Sequence, residues 1–140
     1  MNHPHWEHFP HEADIGIRGI GHTLGEAFEQ AALAMTAAIT DPQQVKALEM
    51  VSIICQAPDD ELLLIDWLNA LVYEMATRKL LFSHFEIQLQ DHSISARAFG
   101  EAMSKTRHHM AVEVKGATYT ALHVGQTPNG EWVAQCVIDV

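Results

Sequence analysis

The chain has 140 residues, of which 48% are hydrophobic, and 18 acidic residues against eight Lys and Arg give a formal net charge of −10. A chain of this size and apolar content can bury a core without disulfides or structural metal, so predominant disorder is excluded. The acidic balance argues against a protein that grips RNA by its phosphates, because basic side chains supply most non-specific affinity. Any nucleic acid in its function is therefore expected to be held by a partner.

The two cysteines and the opening residues indicate the cellular compartment. Cys55 and Cys136 each lie in an apolar run without metal-site spacing, so both are predicted to be buried, reduced thiols. The opening MNHPHWEHFP lacks the basic and apolar stretches of a signal peptide. No run approaches the ~20 apolar residues that a membrane span needs. We therefore expect a cytoplasmic protein without a membrane partner.

The N-terminal part predicts a strand followed by a helix. Residues 13–18 alternate apolar and polar side chains, a pattern typical of a half-buried strand. Thr23 and Glu26 form a capping-box motif, so a helix is expected to begin after Thr23. Proline cannot continue a helix, and Asp41-Pro42 is therefore predicted to end it.

A second strand and a second helix are predicted next. Apolar residues alternate within residues 45–56, which indicates a strand. Acidic residues at 59–61 suit the positive end of a helix dipole, so the second helix is expected to begin there. Its predicted buried stripe consists of Leu64, Ile65, Leu68, Leu71, Val72 and Met75.

The C-terminal half predicts consecutive hairpins. Residues 84–98 alternate on both sides of a turn at residues 91–92. Strands at residues 117–124 and 131–139 flank a Pro-Asn-Gly turn at residues 128–130. Early helices and late hairpins predict an α+β fold, a two-layer sandwich of a mostly antiparallel sheet with two main helices packed on one face.

Histidines crowd the N-terminus, which we interpret as a flexible, histidine-rich arm at residues 1–10 before a single domain at residues 11–140. The arm's histidines and the His108-His109 pair could capture a transition metal. However, no cysteine or carboxylate set stands at zinc-site spacing, so a physiological zinc site is not predicted. Nucleotide-binding and hydrolase signatures such as GxxxxGK[ST], GxGxxG and GxSxG are also missing, which disfavours a stand-alone enzyme.

Two aspartates embedded in strand patterns are candidates for a different metal site. Asp14 points away from the isoleucines of its strand, and Asp139 is the penultimate residue of the last strand. Either both are solvated edge residues, or the two strands converge and the carboxylates bind one cation together with a main-chain oxygen of Val140. Such an all-oxygen set would suit Ca²⁺, Mg²⁺ or Mn²⁺. Spacing alone does not decide between these readings.

Several blocks of the sequence resemble the archease family. These blocks are HEADIGI at residues 11–17, TLGEAFE at 23–29, LIDWLNALVY at 64–73, VKGATY at 114–119 and VIDV at 137–140. They occur in family order and span nearly the whole chain. One departure is Arg107, which stands where the family usually has lysine and leaves the role of that position in doubt. Asp66, Trp67 and Asn69 match as well, but we interpret them as structural residues of one helix.

The resemblance implies an accessory protein rather than an enzyme. Archeases assist the RtcB-type RNA ligase of tRNA splicing, which joins 3′-phosphate or 2′,3′-cyclic phosphate ends to 5′-hydroxyl ends. They promote guanylylation of the ligase and its multiple turnover, so GTP and RNA ends would be reached through the ligase. The alternative is a chaperone-like modulator of nucleic-acid-modifying enzymes that does not depend on a metal site.

The resemblance also implies particular site residues. A divalent cation, most often assigned as calcium, would be held by Asp14, Asp139 and Val140. Lys115 is then a candidate contact to phosphate or to the partner. The other interpretation of Lys115 is a charge on an edge strand that keeps the sheet soluble.

Overall fold

The computed structural model describes residues 3–140, in which two α-helices and eight strands form an α+β fold. The helices are α1 (Leu24–Ile39) and α2 (Asp60–Arg78). The first strands are β1 (His5–His11), β2 (Asp14–Gly21), β3 (Glu49–Gln56) and β4 (Leu80–Gln90). The later strands are β5 (Ser93–Ala102), β6 (Gly116–Ala117), β7 (His123–Gln126) and β8 (Trp132–Asp139).

The strands pair antiparallel in two sheets. The larger sheet has the order β1-β2-β8-β6, with β7 also paired to β8, and the smaller has the order β3-β5-β4. Helix α1 packs mainly against β2, whereas the strand that α2 contacts most is β3. The predicted α+β class is confirmed. The strands divide between two sheets where a single sheet was predicted, because β3 pairs with β5 and not with any strand of the larger sheet.

Side chains cap both helices at the predicted starts. The Thr23 hydroxyl accepts a hydrogen bond from the Glu26 N–H at 3.1 Å, and the Glu26 carboxylate accepts one from the His22 N–H at 2.7 Å. The Asp59 carboxylate accepts from the Leu62 N–H at 2.8 Å. These contacts satisfy N–H groups that have no partner within the first helical turn. Helix α1 ends at Ile39, before the predicted Asp-Pro stop.

One hydrophobic cluster joins both helices to both sheets. The predicted α2 stripe contributes five buried residues to this cluster: Leu64, Ile65, Leu68, Leu71 and Met75. Val72 is half-buried, and Trp67 joins the cluster with its indole N–H donating to the Phe28 carbonyl at 3.1 Å. Among residues 3–140, no helix combines the length and apolar character that crossing a membrane requires.

The predicted flexible arm is wrong from His5 onward. Residues His5–His11 form β1, which pairs with β2 along its whole length. The His8 imidazole Nε2 also lies 2.8 Å from the Ala34 carbonyl of α1. Strand pairing and this contact explain why a histidine-rich segment is ordered. Residues 1–2 of the predicted arm lie outside the described residues.

The predicted strand at residues 117–124 is instead two short strands. Both β6 and β7 pair with β8, and a turn at residues 119–122 separates them. Ala121 in this turn has a positive φ of 54°, a left-handed conformation that interrupts extended backbone. The predicted turn at residues 128–130 does join β7 to β8, with Gly130 at φ 84°.

Candidate metal centre

The second strand and the last strand, β2 and β8, bring the two candidate aspartates together. β2 pairs antiparallel with β8, and Ile15 lies beside Ile138 in that pairing. One step further along the ladder, Asp14 begins β2 and Asp139 ends β8, so these two residues stand opposite each other. Directly opposed residues have Cβ atoms about 5 Å apart. The convergence that the sequence pattern left open is therefore present in the fold.

The two carboxylates lie on the same face of the larger sheet. Arg18 lies opposite Gln135, and its Nε donates to the Gln135 side-chain oxygen at 2.8 Å. Because side chains alternate between faces, Asp14 and Asp139 share the face of this Arg18–Gln135 pair. Ile17 is on the opposite face, where it is fully buried against the hydrophobic cluster.

The end of the chain closes this arrangement. The Val140 N–H donates to Oδ1 of Asp14 at 3.4 Å, a long hydrogen bond between residues 126 positions apart. Asp14 is half-buried and Asp139 is exposed, so one carboxylate is held by the fold while the other faces solvent. The main chain of Val140 is thereby held beside the Asp14 carboxylate.

The chemistry of this donor set fits a hard divalent cation. Carboxylate and main-chain oxygens are the ligands that Ca²⁺ and Mg²⁺ prefer, whereas zinc prefers imidazole and thiolate. Among residues 3–140, no group of three or more His, Cys, Asp or Glu side chains is placed to hold a metal. A cation bound by Asp14 and Asp139 would therefore need oxygens of Val140 and water to complete its shell.

Lys115 lies just before β6, the strand that pairs with the end of β8. Gly116 pairs with Asp139, and the Lys115 N–H donates to the Asp139 carbonyl at 2.8 Å. The Lys115 side chain is exposed and forms no ion pair with residues 3–140. Asn69 of α2 secures this segment, because its side-chain oxygen accepts from the Ala117 N–H at 2.9 Å. The exposed Lys115 side chain thus belongs to the segment just before β6, next to the end of β8 that carries Asp139.

The N-terminal histidines make local contacts in the fold. His5 lies 2.8 Å from the His3 carbonyl and 3.3 Å from the Glu7 carboxylate. The hydrogen bond that the His5 imidazole donates to the His3 carbonyl, and then the contact with Glu7, raise the pKa of His5. These contacts, together with the one from His8 to α1, give the histidines structural partners.

A second polar cluster, which the sequence patterns did not predict, lies at the end of β5. Glu101 is buried, and its carboxylate accepts hydrogen bonds from Arg107, from the Lys46 N–H at 2.6 Å and from His108 at 3.1 Å. The His108 Nδ1 accepts from the Ser104 N–H at 3.0 Å, which places the imidazole proton on Nε2, facing Glu101. His108, which the sequence offered as a residue that could capture a transition metal, has a completely buried side chain.

This Glu101 cluster holds the segment that leads to Lys115. Arg107 also donates to the Gln44 carbonyl at 3.2 Å, so the cluster ties the segment to the region before β3. A charged residue at the end of a buried strand was the available sequence signal, since such a residue must be paired. Arg107 was singled out in the sequence only as a departure from the family pattern, and its position carried no information about contact with Glu101.

The cluster predicts a specific dependence of stability on pH. Hydrogen bonds from Arg107 and then Lys46 lower the pKa of Glu101 from 4.5 to about 2. A carboxyl whose pKa is lowered by folding contributes stability that is complete above pH 4.5 and lost as pH falls towards about 2. Glu101→Gln is therefore expected to reduce the free energy of unfolding at neutral pH and to flatten its fall in acid. Urea denaturation at a series of pH values measures both effects.

The exposed acid Glu49 provides the control for this measurement. Glu49→Gln is expected to retain the wild-type slope of stability against pH. Parallel curves for Glu101→Gln and the wild type in the acid range would contradict the proposed contribution of the cluster.

Both cysteines are free and buried, as predicted. Burial raises the pKa of the Cys55 thiol to about 11 and that of the Cys136 thiol to about 12. The thiolate is the reactive form of cysteine, so both side chains are unreactive at neutral pH.

Comparison with known proteins agrees with this architecture. The archease protein family matches residues 6–140. Protein archease of Pyrococcus abyssi is 35% identical over 139 residues, covering 96% of this chain and 98% of that protein. The Methanosarcina acetivorans archease is 36% identical over 140 residues, covering 96% of this chain and 95% of that protein. The chain therefore belongs to the archease family.

Two solved structures share the fold. The solution structure of Methanobacterium thermoautotrophicum protein 1598 has a TM-score of 0.83 and 32% identity, and the match covers 96% of this chain and 98% of that one. A Thermotoga maritima crystal structure, described as an archease and possible chaperone, has a TM-score of 0.64 and covers 94% of each chain. Its identity of 16% shows a common fold alone.

Proposed function

We propose that this protein is a metal-binding accessory factor that activates an RtcB-type RNA ligase in tRNA splicing or RNA repair. In this role it would promote guanylylation of the ligase and repeated turnover, without catalysing a reaction itself. Family membership supports an accessory role, and the Thermotoga maritima relative is described as a possible chaperone. The observation that carries the metal-dependent part is the hydrogen bond from Val140 to Asp14 beside Asp139.

Asp14, Asp139 and main-chain oxygens of Val140 would hold the cation, which we propose is Ca²⁺, with Mg²⁺ or Mn²⁺ as alternatives. Such a cation supplies positive charge that can orient and neutralise phosphate groups. Lys115 adds a second positive charge from the neighbouring strand, where its side chain is exposed. Both charges would act on phosphate that the ligase itself binds.

The overall charge supports a proposal in which the ligase, and not this chain, binds the RNA. With a net charge of −10, this chain repels the RNA backbone over most of its surface. The ligase would therefore hold RNA and GTP, while this chain presents a small, locally positive region to the nucleotide. The proposal thus needs no direct RNA contact.

The decisive experiment combines metal binding with ligase turnover. Asp14→Asn keeps the size of the side chain and the acceptor for Val140 but removes one ligand charge. Because ligand charge tunes calcium affinity over orders of magnitude, we expect the dissociation constant to rise at least about a hundredfold. Stimulation of ligase turnover is expected to fall in parallel at equal protein concentrations. Calorimetry and a multiple-turnover ligation assay measure these two quantities.

Asp91→Asn is the matched control, because Asp91 is an exposed carboxylate in the turn between β4 and β5 of the other sheet. This variant is expected to bind calcium and stimulate the ligase like the wild type. Full stimulation by Asp14→Asn despite lost calcium binding would contradict the metal-dependent role. That result would favour the alternative function, a chaperone-like modulator that acts without the metal centre.

A further inference from the structure

The strand β3 forms an open edge of the smaller sheet. In the order β3-β5-β4, one side of β3 pairs with β5 and no strand within residues 3–140 pairs with the other. The Ala57 N–H donates to the His92 carbonyl at 3.1 Å, which continues the β3–β5 ladder as a hydrogen-bonded pair. Hydrogen-bonded and non-hydrogen-bonded pairs alternate along antiparallel strands. The odd-numbered residues of β3, like Ala57, therefore direct their N–H and C=O groups towards β5. The outward-directed groups belong to Met50, Ser52, Ile54 and Gln56.

The side chains along this edge are unusually apolar for a solvent-exposed strand. Ile54 is 83% exposed, Met50 is 50% exposed, and Leu48 just before the strand is 71% exposed. Exposed edges are normally protected by proline, lysine or inward-pointing charges. Within Glu49–Gln56 the only charged residue is Glu49, at the very start of the strand. The edge therefore combines free hydrogen-bonding groups with exposed apolar surface.

From this edge we infer that a second copy of this chain binds here, by antiparallel pairing of β3 with β3 around a twofold axis at Ser52. Symmetric pairing places outward-directed groups opposite each other, as a hydrogen-bonded ladder requires. It sets Met50 of each copy beside Ile54 of the other, so apolar side chains meet twice. The two three-stranded sheets become one continuous six-stranded sheet.

The charges at the two ends of β3 favour the same antiparallel arrangement. Lys46 lies before the strand, is exposed and forms no ion pair with residues 3–140. Asp59 and Asp60 lie after the strand, at the start of α2. Antiparallel pairing brings Lys46 of each copy towards these carboxylates of the other, whereas parallel pairing would bring like charges together. The strand is thus complementary to itself in shape, hydrogen bonding and charge.

The inferred interface leaves the candidate metal centre free. Asp14 and Asp139 belong to the larger sheet, and β3 belongs to the smaller. Each copy would present its own centre, so the dimer does not depend on the proposed function.

Sedimentation equilibrium over about a hundredfold range of concentration tests the dimer, because association follows mass action. The mean mass is expected to rise from 15.6 kDa towards twice that value. Amide exchange by NMR locates the interface: the N–H groups of Met50, Ser52 and Ile54 should gain protection as concentration rises. Ile54→Lys is expected to lower the association constant about tenfold, since the dimer contains the Met50–Ile54 pair twice.

Gln88→Lys is the matched control. It adds the same charge at an exposed position of β4, which lies on the opposite side of the smaller sheet from β3. It should associate like the wild type. A second variant, Ser52→Pro, removes an outward N–H at the twofold axis without breaking the ladder to β5, and like Ile54→Lys it should lower the association constant. Monomer mass of the wild type at every concentration would overturn the inference, as would undiminished association of Ile54→Lys.

Discussion

Replacing Trp67 with alanine is expected to lower the free energy of unfolding by about 4 kcal/mol. The side chain is fully buried at the centre of the hydrophobic cluster, where its ring lies edge-on to Phe85 at 5.8 Å. Its N–H also donates to the Phe28 carbonyl of α1, so the indole links the two helices. Alanine would leave a large cavity and remove the hydrogen bond between the two helices. Urea denaturation followed by circular dichroism measures the loss.

Trp6 provides the control, because it is 37% exposed on β1. Trp6→Ala should cost less than about 1 kcal/mol, as expected for a residue that makes few buried contacts. Trp67→Phe retains most of the apolar volume but loses the hydrogen bond, so its cost should be intermediate. If Trp67→Ala were no more destabilising than Trp6→Ala, the structural interpretation of this family-matching tryptophan would be wrong.

Replacing Gly19 with alanine is expected to cost about 3 kcal/mol, at the upper end of the range for overpacked cores. A Cβ at this position would lie 2.1 Å from the Ala27 carbonyl oxygen and 2.3 Å from the Ala31 nitrogen. Both atoms belong to the backbone of α1, which cannot rotate away as a flexible side chain can. The substitution must therefore push α1 off β2. Thermal and urea denaturation report the change.

Gly25 near the start of α1 is the matched control, because a Cβ there would meet its nearest neighbour, the Ile87 carbonyl oxygen, at 3.9 Å. Gly25→Ala introduces a better helix former without a clash, so stability should stay constant or rise by about 0.5 kcal/mol. Equal stability of the Gly19→Ala and Gly25→Ala variants would show that the helix and strand can separate without cost.

Both stability predictions depend on contacts that the sequence did not reveal. Trp67 has the spacing of the buried α2 stripe, since it lies three residues after Leu64, but its contacts with Phe28 of α1 and Phe85 of β4 depend on how distant elements pack. Likewise, nothing in the sequence showed that β2 approaches α1 closely enough to require glycine at position 19. Contacts of this kind join two different secondary-structure elements, so the pattern of residues within one element does not predict them.

The sequence by itself determined the helices, most strand positions, the α+β class and the burial of both cysteines. These features follow from interactions among neighbouring residues, namely capping at Thr23 and Asp59, a proline stop and alternation along strands. It was likewise predictable that Asp14 and Ile15 point to opposite faces of the sheet, because successive side chains of a strand alternate between its two faces.

Only the tertiary structure decided which distant residues meet. The pairing of β2 with β8 brings Asp14 to Val140, 126 positions away, and no local signal specifies that register. The ordering of His5–His11 as β1 and the burial of His108 against Glu101 also depend on partners elsewhere in the chain. Strand pairing and buried ion pairs are non-local, since their free energy comes from groups that only the folded chain brings into contact.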